Sequence, residues 1–251
     1  RAGLLINPSS GKSSGKGLSL VDMLKHNTAV STRVLERFEQ LPGFLDDFAS
    51  DGVTDLFISS GDGTIHAVQT ELAERKPFKV IPRLSLLPHG TTNMTAADLG
   101  FPHRGLRAQA DYITHLEAKQ IRERPTLRVV NPRDGRPRHG MFLGTGAASE
   151  ATLFCQRVFN AKGVKGNWAT FATLAGAVAK TVFSKPDPQD TTRFDRPFPI
   201  RVIADGRPLC DGTQLLMLAT TLEKLILGAR PFWGGKAQGL RASIFPYPVP
   251  N

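Results

Sequence analysis

The sequence contains few cysteines, few large aromatic side chains suited to stacking, and no long apolar run. Cys155 and Cys210 are its only cysteines, too few for a disulfide framework or a four-cysteine zinc site. No two histidines have the spacing of a helical metal site, which disfavours a zinc enzyme. No apolar stretch approaches the roughly 20 residues that a membrane-spanning helix needs. The simplest setting to expect is the cytoplasm, where thiols stay reduced.

The chain is strongly basic. Its 32 Lys and Arg against 22 Asp and Glu give a net charge of +10 over 251 residues. Such a charge attracts polyanions, which include nucleic acids, nucleotides and anionic membrane surfaces. Two tyrosines and two tryptophans offer little for stacking bases, so a nucleic-acid-binding function is disfavoured. The length allows one large domain or two ordinary ones, since a domain takes about 100–200 residues.

The first half of the chain alternates short apolar runs with segments of helical periodicity. Strands are predicted at residues 3–6, 31–38, 55–59 and 84–87, and helices at residues 18–24, 42–50, 65–72 and 106–116. A strand-helix-strand rhythm predicts a parallel sheet with helices on both faces. We therefore predict an α/β domain over residues 1–124.

After Arg124 the pattern changes to short strands joined by Gly, Pro and Asn turns. Strands are predicted at residues 127–131, 140–145, 199–205, 214–220 and 240–245. The uncharged residues 167–179 predict one buried helix between them, too short to cross a bilayer. This pattern predicts a mostly β second domain over residues 125–251.

Three glycine-bearing turns each follow a predicted strand of the first half. They are residues 7–12 (Asn-Pro-Ser-Ser-Gly-Lys), 60–64 (Ser-Gly-Asp-Gly-Thr) and 88–93 (Pro-His-Gly-Thr-Thr-Asn). Loops that leave the carboxyl ends of neighbouring parallel strands converge on one crevice, so all three turns could face one ligand. Glycines let backbone N–H groups approach phosphate oxygens, and a helix N-terminus adds a favourable dipole. Asp62, beside those phosphates, could serve as a magnesium ligand or a general base.

Each turn alone has an ordinary explanation, as a strand end or a capped start of a helix with Thr64 as the cap. The Gly11-Lys12-Ser13 triplet is not a Walker A loop, because Ile6 stands where that motif needs a glycine. The specific signal is the order of the three turns, each directly after a strand.

These three turns together resemble the catalytic domain of the diacylglycerol kinase superfamily, which includes bacterial lipid kinases, sphingosine kinases and ceramide kinases. The resemblance implies a nucleotide-binding α/β domain and a sandwich-like β domain, with ATP and Mg²⁺ between them and a membrane-lipid hydroxyl as acceptor. It implies Asp62 as the catalytic residue and the metal ligand. The nucleotide contacts that we predict are Ser10, Gly11, Lys12, Gly61, Asp62, Gly63, Thr64, Gly90, Thr91 and Asn93.

Several positions depart from the family pattern. Ser60 replaces the first glycine of Gly-Gly-Asp-Gly-Thr, and Ala67, Met94 and Gln238 stand where acidic residues are usual. The Asp-Gly-Glu found near the family's carboxyl end has no match before Asn251. We therefore expect this sequence to be a segment of a longer protein.

The leading hypothesis is an ATP-dependent lipid kinase that acts on diacylglycerol, ceramide or a sphingoid base. It would be cytoplasmic, held peripherally at an anionic membrane surface by its basic residues. The alternatives are an NAD kinase-like enzyme, which shares the Gly-Asp-Gly-Thr turn, and a catalytically impaired regulator that binds nucleotide or lipid. The lipid acceptor and the oligomeric state stay open, and a homodimer is compatible with the sequence.

Overall fold

A computed structural model of the chain provides the atomic description. It describes residues 1–10, 14–90, 93–101, 103, 105–116, 121–150, 196–225, 228, 230–232 and 239–247. The predicted helix at residues 167–179 and Gln238 lie outside these ranges.

The described part of the chain forms two compact units. The first comprises Arg1–Met141 and Thr221–Arg230, and the second comprises Phe142–Thr220 and Pro231–Asn251. The predicted boundary between a nucleotide-binding domain (residues 1–124) and a lipid-acceptor domain (residues 125–251) stays a prediction.

The first unit alternates strands and helices before it ends in a short β-hairpin. Its elements in chain order are β1 (Ala2–Ile6), α1 (Ser14–Leu24), β2 (Val30–Val34), α2 (Leu41–Ser50), β3 (Asp55–Ser60), α3 (Asp62–Glu74), β4 (Arg83–Pro88), α4 (Met94–Leu99), α5 (Leu106–His115), β5 (Leu127–Val129) and β6 (Arg138–Gly140). The strands β1 to β4 form one parallel sheet in the order β2-β1-β3-β4. Because β1 and β3 are central, every residue of both strands is buried.

Alternate residues of the strands point to opposite faces of the sheet and pack into two separate hydrophobic layers. Leu5, Leu56 and Ile58 pack with the apolar face of α2 and α3. Leu4 and Phe57 point the other way and pack with α1 and α5. Helices therefore cover both faces of the sheet, which is the arrangement that the sequence rhythm predicts.

The second unit is mostly β in its described residues. Its strands are β7 (Phe142–Gly146), β8 (Phe198–Ala204), β9 (Arg207–Thr220) and β10 (Arg241–Pro246). They pair antiparallel, with β9 flanked by β7 and β10 along one part of its length and by β8 along another. The predicted fold class, an α/β domain followed by a mostly β part, is confirmed. Over the described residues, no helix combines the length and the apolarity that crossing a membrane requires.

The structure corrects the predicted local boundaries in three places. The strand predicted at residues 31–38 ends at Val34, because the N–H groups of Glu36 and Arg37 donate to the Gln40 side chain and a 3₁₀ turn begins. The strand predicted at residues 140–145 is split at Met141. The six-residue α4 was not predicted, since it is too short to show a helical period.

An ionic cluster joins the β5–β6 hairpin to the carboxyl end of α3. The Glu74 carboxylate accepts two hydrogen bonds from Arg128, at 2.7 and 2.9 Å, and lies 2.7 Å from Nε2 of His139. Thr70 of α3 accepts the backbone N–H of His139 at 2.9 Å. Arg128 first, and then His139, lower the pKa of Glu74 from 4.5 to about 2.

The core packing leads to a stability prediction. Phe48 is 0% exposed in the layer under α2, whereas Phe38 is 49% exposed in the 3₁₀ turn. Truncating a buried phenylalanine costs about 3–5 kcal/mol, from lost burial and the cavity left behind. Denaturant unfolding should show that loss for Phe48→Ala and a change within about 0.5 kcal/mol for Phe38→Ala. Equal losses in the two variants would contradict the assigned core.

The Glu74 cluster predicts a pH dependence. Because the folded pKa of Glu74 lies below its ordinary value, its contribution to stability is present above about pH 4.5 and is lost as the pH falls towards 2. Wild type should therefore lose more stability than Glu74→Gln over this window. The measurement is chemical denaturation of both proteins at pH 6 and pH 3. A stability difference between them that does not change with pH would refute the assignment.

Candidate functional site

The turns after β1, β3 and β4 lie against one another at the carboxyl ends of the strands. A Cβ atom built on Gly90 would stand 2.3 Å from Cα of Gly61 and 2.8 Å from its nitrogen. A Cβ on Gly61 would stand 3.9 Å from Cβ of Ser10. Real Cβ atoms do not approach backbone so closely, so Gly90 has to be a glycine. The predicted convergence of the three turns is present in the structure.

Asn7 ties the first turn to the helix that follows the second. Its Nδ2 donates to Oγ1 of Thr64 at 2.8 Å, and its Oδ1 accepts the N–H of Ser9 at 3.0 Å. The Ser10 hydroxyl donates to the carbonyl of Asn7 at 2.8 Å. Thr64 is therefore a buried partner of Asn7, and the prediction that it caps α3 is wrong. The residue that precedes α3 is Gly61, in extended conformation.

Asp62 connects the second turn to the third. It is the first residue of α3, and its two carboxylate oxygens accept the N–H groups of Met94 and Thr95, at 3.0 and 2.9 Å. Those N–H groups belong to the first turn of α4, where no intrahelical acceptor exists. The carboxylate thus satisfies the start of a second helix while it sits at the start of its own.

Asn93 holds Gly90 from both sides. Its Oδ1 accepts the N–H of Gly90, and its Nδ2 donates to the carbonyl of Gly90, both at 2.7 Å. Asn93 itself has a φ of 50°, in the left-handed region that asparagine tolerates better than most residues. The N–H of Gly90 already donates to Asn93, so it is not free for a ligand. The role of this glycine is to let its own turn pack closely against Gly61.

The backbone N–H groups at the start of α3 are the donors that remain available to a ligand where the described parts of the three turns meet. The first N–H groups of this 13-residue helix have no intrahelical partner, and the helix dipole favours an anion there. Gly63 is exposed, and no atom lies within 4 Å of a Cβ built on it, so the surface is open beside it. Gly11, Lys12 and Thr91 lie outside the described residues.

Two histidines near the turns are largely buried rather than presented to a ligand. His89 is 3% exposed, and its Nδ1 lies 2.8 Å from the Ser59 hydroxyl. Burial, assisted by the charge of Lys16, lowers the pKa of His89 to about 4, so its ring is neutral at pH 7. Burial also lowers the pKa of His66, against an opposing effect of Asp62.

The sequence analysis missed Asp98, at the end of α4. Its side chain is 1% exposed, and its Oδ1 accepts the N–H groups of Glu223 and Lys224 at 3.1 and 2.9 Å. Arg124 bonds Glu223 at 2.9 Å and lies 3.7 Å from Asp98. This network links residues 221–230, the second chain segment of the first unit, to α4. No local sequence signal marks it, because the partners are more than 120 residues apart.

Comparison with known proteins agrees with this geometry. The family model that describes the diacylglycerol kinase catalytic domain matches residues 1–124. The first 124 of the 251 residues therefore form a domain of this superfamily. No curated protein matches the chain.

The diacylglycerol kinase fold extends over nearly the whole chain. A crystal structure of a diacylglycerol kinase from Bacillus anthracis str. Sterne is 19% identical, with 98% of this chain and 73% of that chain covered and a TM-score of 0.59. Two further structures from the same strain, to which the same activity is ascribed, give TM-scores of 0.60 and 0.62 at 17% and 18% identity. Both cover 98% of this chain and about three quarters of their own. At these identities the likeness shows the fold.

No group of three His, Cys, Asp or Glu side chains in the described ranges could hold a metal ion. Mg²⁺ does not need one, because it commonly binds one or two carboxylates, water and substrate phosphates. Each oxygen of Asp62 keeps a second acceptor position beyond its bond to α4, so this carboxylate fits such a role.

The contact between Gly61 and Gly90 leads to a prediction. Gly90→Ala should destabilise the protein by about 1–3 kcal/mol or more, because the added methyl group meets backbone that has to move. Gly63→Ala is the matched control, since its methyl group meets nothing and alanine favours a helix by about 0.5–1 kcal/mol. Thermal unfolding of both variants is the measurement. Equal melting temperatures for Gly90→Ala and wild type would contradict the close approach.

Proposed function

We propose that this protein is an ATP-dependent lipid kinase, which transfers the γ-phosphoryl group of ATP to a hydroxyl group of a membrane lipid. The observation that carries the proposal is the convergence of Ser10, Gly61 and Gly90 beside the start of α3 in a diacylglycerol kinase catalytic domain. The family supports a kinase, and the identity of the nucleotide and of the acceptor is our inference.

In this proposal the start of α3 holds the phosphates. Backbone N–H groups of Asp62, Gly63 and Thr64 point out of the first helical turn, where partial positive charge from the helix dipole accumulates. Gly61 keeps the approach to these donors free of side chains, and Ser10 borders it. We also assign Gly11, Lys12 and Thr91 to nucleotide binding, on the motif alone.

Asp62 is the residue that we propose for the chemistry. Its carboxylate is fixed by two N–H groups of α4, so it has one orientation when a substrate arrives. It would hold Mg²⁺, which supplies charge neutralisation between phosphate oxygens, or accept the proton of the lipid hydroxyl. Phosphoryl transfer depends chiefly on positioning and electrostatics. A carboxylate that is already oriented therefore suits this reaction better than a freely rotating one.

A lipid acceptor implies that the reaction takes place at a membrane surface. The net charge of +10 suits this location, because an anionic leaflet attracts basic residues. Arg133 and Arg136 project from the exposed connection between β5 and β6. Near an anionic leaflet, each such residue contributes roughly 1 kcal/mol of attraction. We also assign Trp168, Phe171 and Trp233 to acyl-chain entry on their apolar character alone, since they lie outside the described residues.

The alternatives predict different outcomes in the same assay. The comparisons do not favour the NAD kinase-like alternative, which predicts phosphorylation of soluble NAD without lipid. The impaired regulator, suggested by Ala67 and Met94 in place of acidic residues, predicts ATP binding without turnover. A panel of lipid micelles with Mg²⁺ and radiolabelled ATP separates these three readings.

Asp62→Asn should lower lipid phosphorylation by about 10²–10⁴-fold, because the amide neither accepts a proton nor holds Mg²⁺ well. Asp98→Asn is the matched control: it is the same change, in a carboxylate that also accepts two N–H groups but touches no turn. Its activity should stay within a few-fold of wild type. Melting temperatures establish that both variants fold. Full activity in folded Asp62→Asn would overturn the role of Asp62.

A further inference from the structure

A cavity lies within the first unit, away from the three glycine turns. Its volume is about 720 Å³, inside the range of roughly 300–1,000 Å³ typical of small-molecule sites. The strand residues that line it, Asp55, Phe57 and Arg83 to Ser85, come early in β3 and β4. The glycine turns follow the opposite ends of these parallel strands. Nothing in the proposed kinase chemistry uses this cavity.

The floor of the cavity is apolar. Phe57, Leu72 and Met141 are at most 5% exposed, and the half-buried Leu84 and Tyr112 extend the floor along the outer edge of β4. A floor of this kind binds hydrocarbon, since contact with a chain removes apolar surface from water.

The mouth of the cavity is apolar as well, which is unusual for a surface in contact with water. Ile81 and Ile121 line it and are 67% and 64% exposed, and Val80 beside Ile81 is 82% exposed. Exposed branched aliphatic side chains at the rim of an apolar cavity mark a binding site more often than isolated ones do.

One arginine at the rim is left for the head group of an anionic ligand. The lining side chains include three arginines against two carboxylates, Asp55 and Glu123. Arg83 is bound in bidentate fashion by Asp55, with both contacts at 2.7 Å, and Arg124 is paired with Glu223. These pairs leave Arg122 and Glu123, and the exposed guanidinium of Arg122 is the group that an anionic head group would contact.

One polar atom of the wall lacks a partner. Oε1 of Gln69 is buried, and no donor within the described part of the chain reaches it. Gln69 lines the cavity from α3. A buried acceptor without a donor is costly, and a hydroxyl group of a ligand would satisfy it.

We propose that this cavity binds a single-chain anionic lipid that carries a hydroxyl group, with its chain along β4, its hydroxyl donating to Gln69 and its acidic group paired with Arg122. The site belongs to the first unit alone and does not require nucleotide. Its test is therefore independent of the proposed kinase activity.

The test uses calorimetry without nucleotide, at lipid concentrations below micelle formation. The probes are lysophosphatidate with a 12-carbon chain, dodecyl phosphate, which lacks the hydroxyl, and inorganic phosphate, which lacks the chain. Wild type should bind one lysophosphatidate, should bind dodecyl phosphate a few-fold to about tenfold more weakly, and should not bind inorganic phosphate at millimolar concentration. No binding of lysophosphatidate, or equal binding of inorganic phosphate, would overturn the proposal.

Variants locate the binding. Ala73→Trp fills the cavity from α3 and should abolish binding, while Gln69→Leu should remove the preference for lysophosphatidate over dodecyl phosphate. Arg122→Gln should weaken both lipids about tenfold. Arg136→Gln, on the exposed β5–β6 connection, removes the same charge outside the cavity and should leave binding within twofold.

Each variant result decides the question. Undiminished binding in Ala73→Trp would place the lipid elsewhere, and equal losses in Arg122→Gln and Arg136→Gln would reduce the effect to general surface charge. If Ala73→Trp lowers the melting temperature, the Gln69 and Arg122 variants still decide, because both positions are outside the packed core. Retention of the hydroxyl preference in Gln69→Leu would refute the assigned orientation.

Discussion

The arrangement of the first unit depends on the hydrogen bonds between the carboxylate of Asp62 and the first turn of α4. The second glycine turn and the third would otherwise meet only through the bare backbone of Gly61 and Gly90, which offers no specific attraction. The charged acceptor supplies that attraction, and bonds to charged groups are the stronger kind. Asn7 and Asn93 complete the arrangement, each with its amide bridging backbone or hydroxyl groups nearby.

In the function that we propose, this arrangement gives Asp62 both a structural and a catalytic role. Each oxygen of the carboxylate uses one acceptor position to bond an N–H group at the start of α4. The same bonds therefore occupy two acceptor positions of the carboxylate and fix its orientation. The acceptor positions that remain therefore point in fixed directions. In a reaction where the barrier is lowered mainly by placement of charge, that fixed orientation favours the enzyme. The main-chain N–H of Met94 makes the contact with Asp62, so this contact does not depend on the side chain at position 94.

The sequence predicted most of the first unit because the dominant signals there are local. Strand runs, helical periods and glycine turns each depend on a few adjacent residues, and the parallel-sheet rule then places the turns together. What the sequence could not predict depends on distant partners. The inward position of His89, the burial of Asp98 against residues 223 and 224, and the partnership of Thr64 with Asn7 each need a neighbour supplied by another part of the chain.

The path of the chain through the first unit has a consequence for cutting the protein apart. Residues 221–230 return to this unit between β9 and β10 of the second, and Thr221 donates its N–H to the carbonyl of Met141. A fragment that stops at residue 141 would remove the two amides that bond Asp98 and leave its buried carboxylate with Arg124, 3.7 Å away, as the remaining charged neighbour. The unit is discontinuous in sequence, so an excised version needs a short linker that reconnects residue 141 to residue 221.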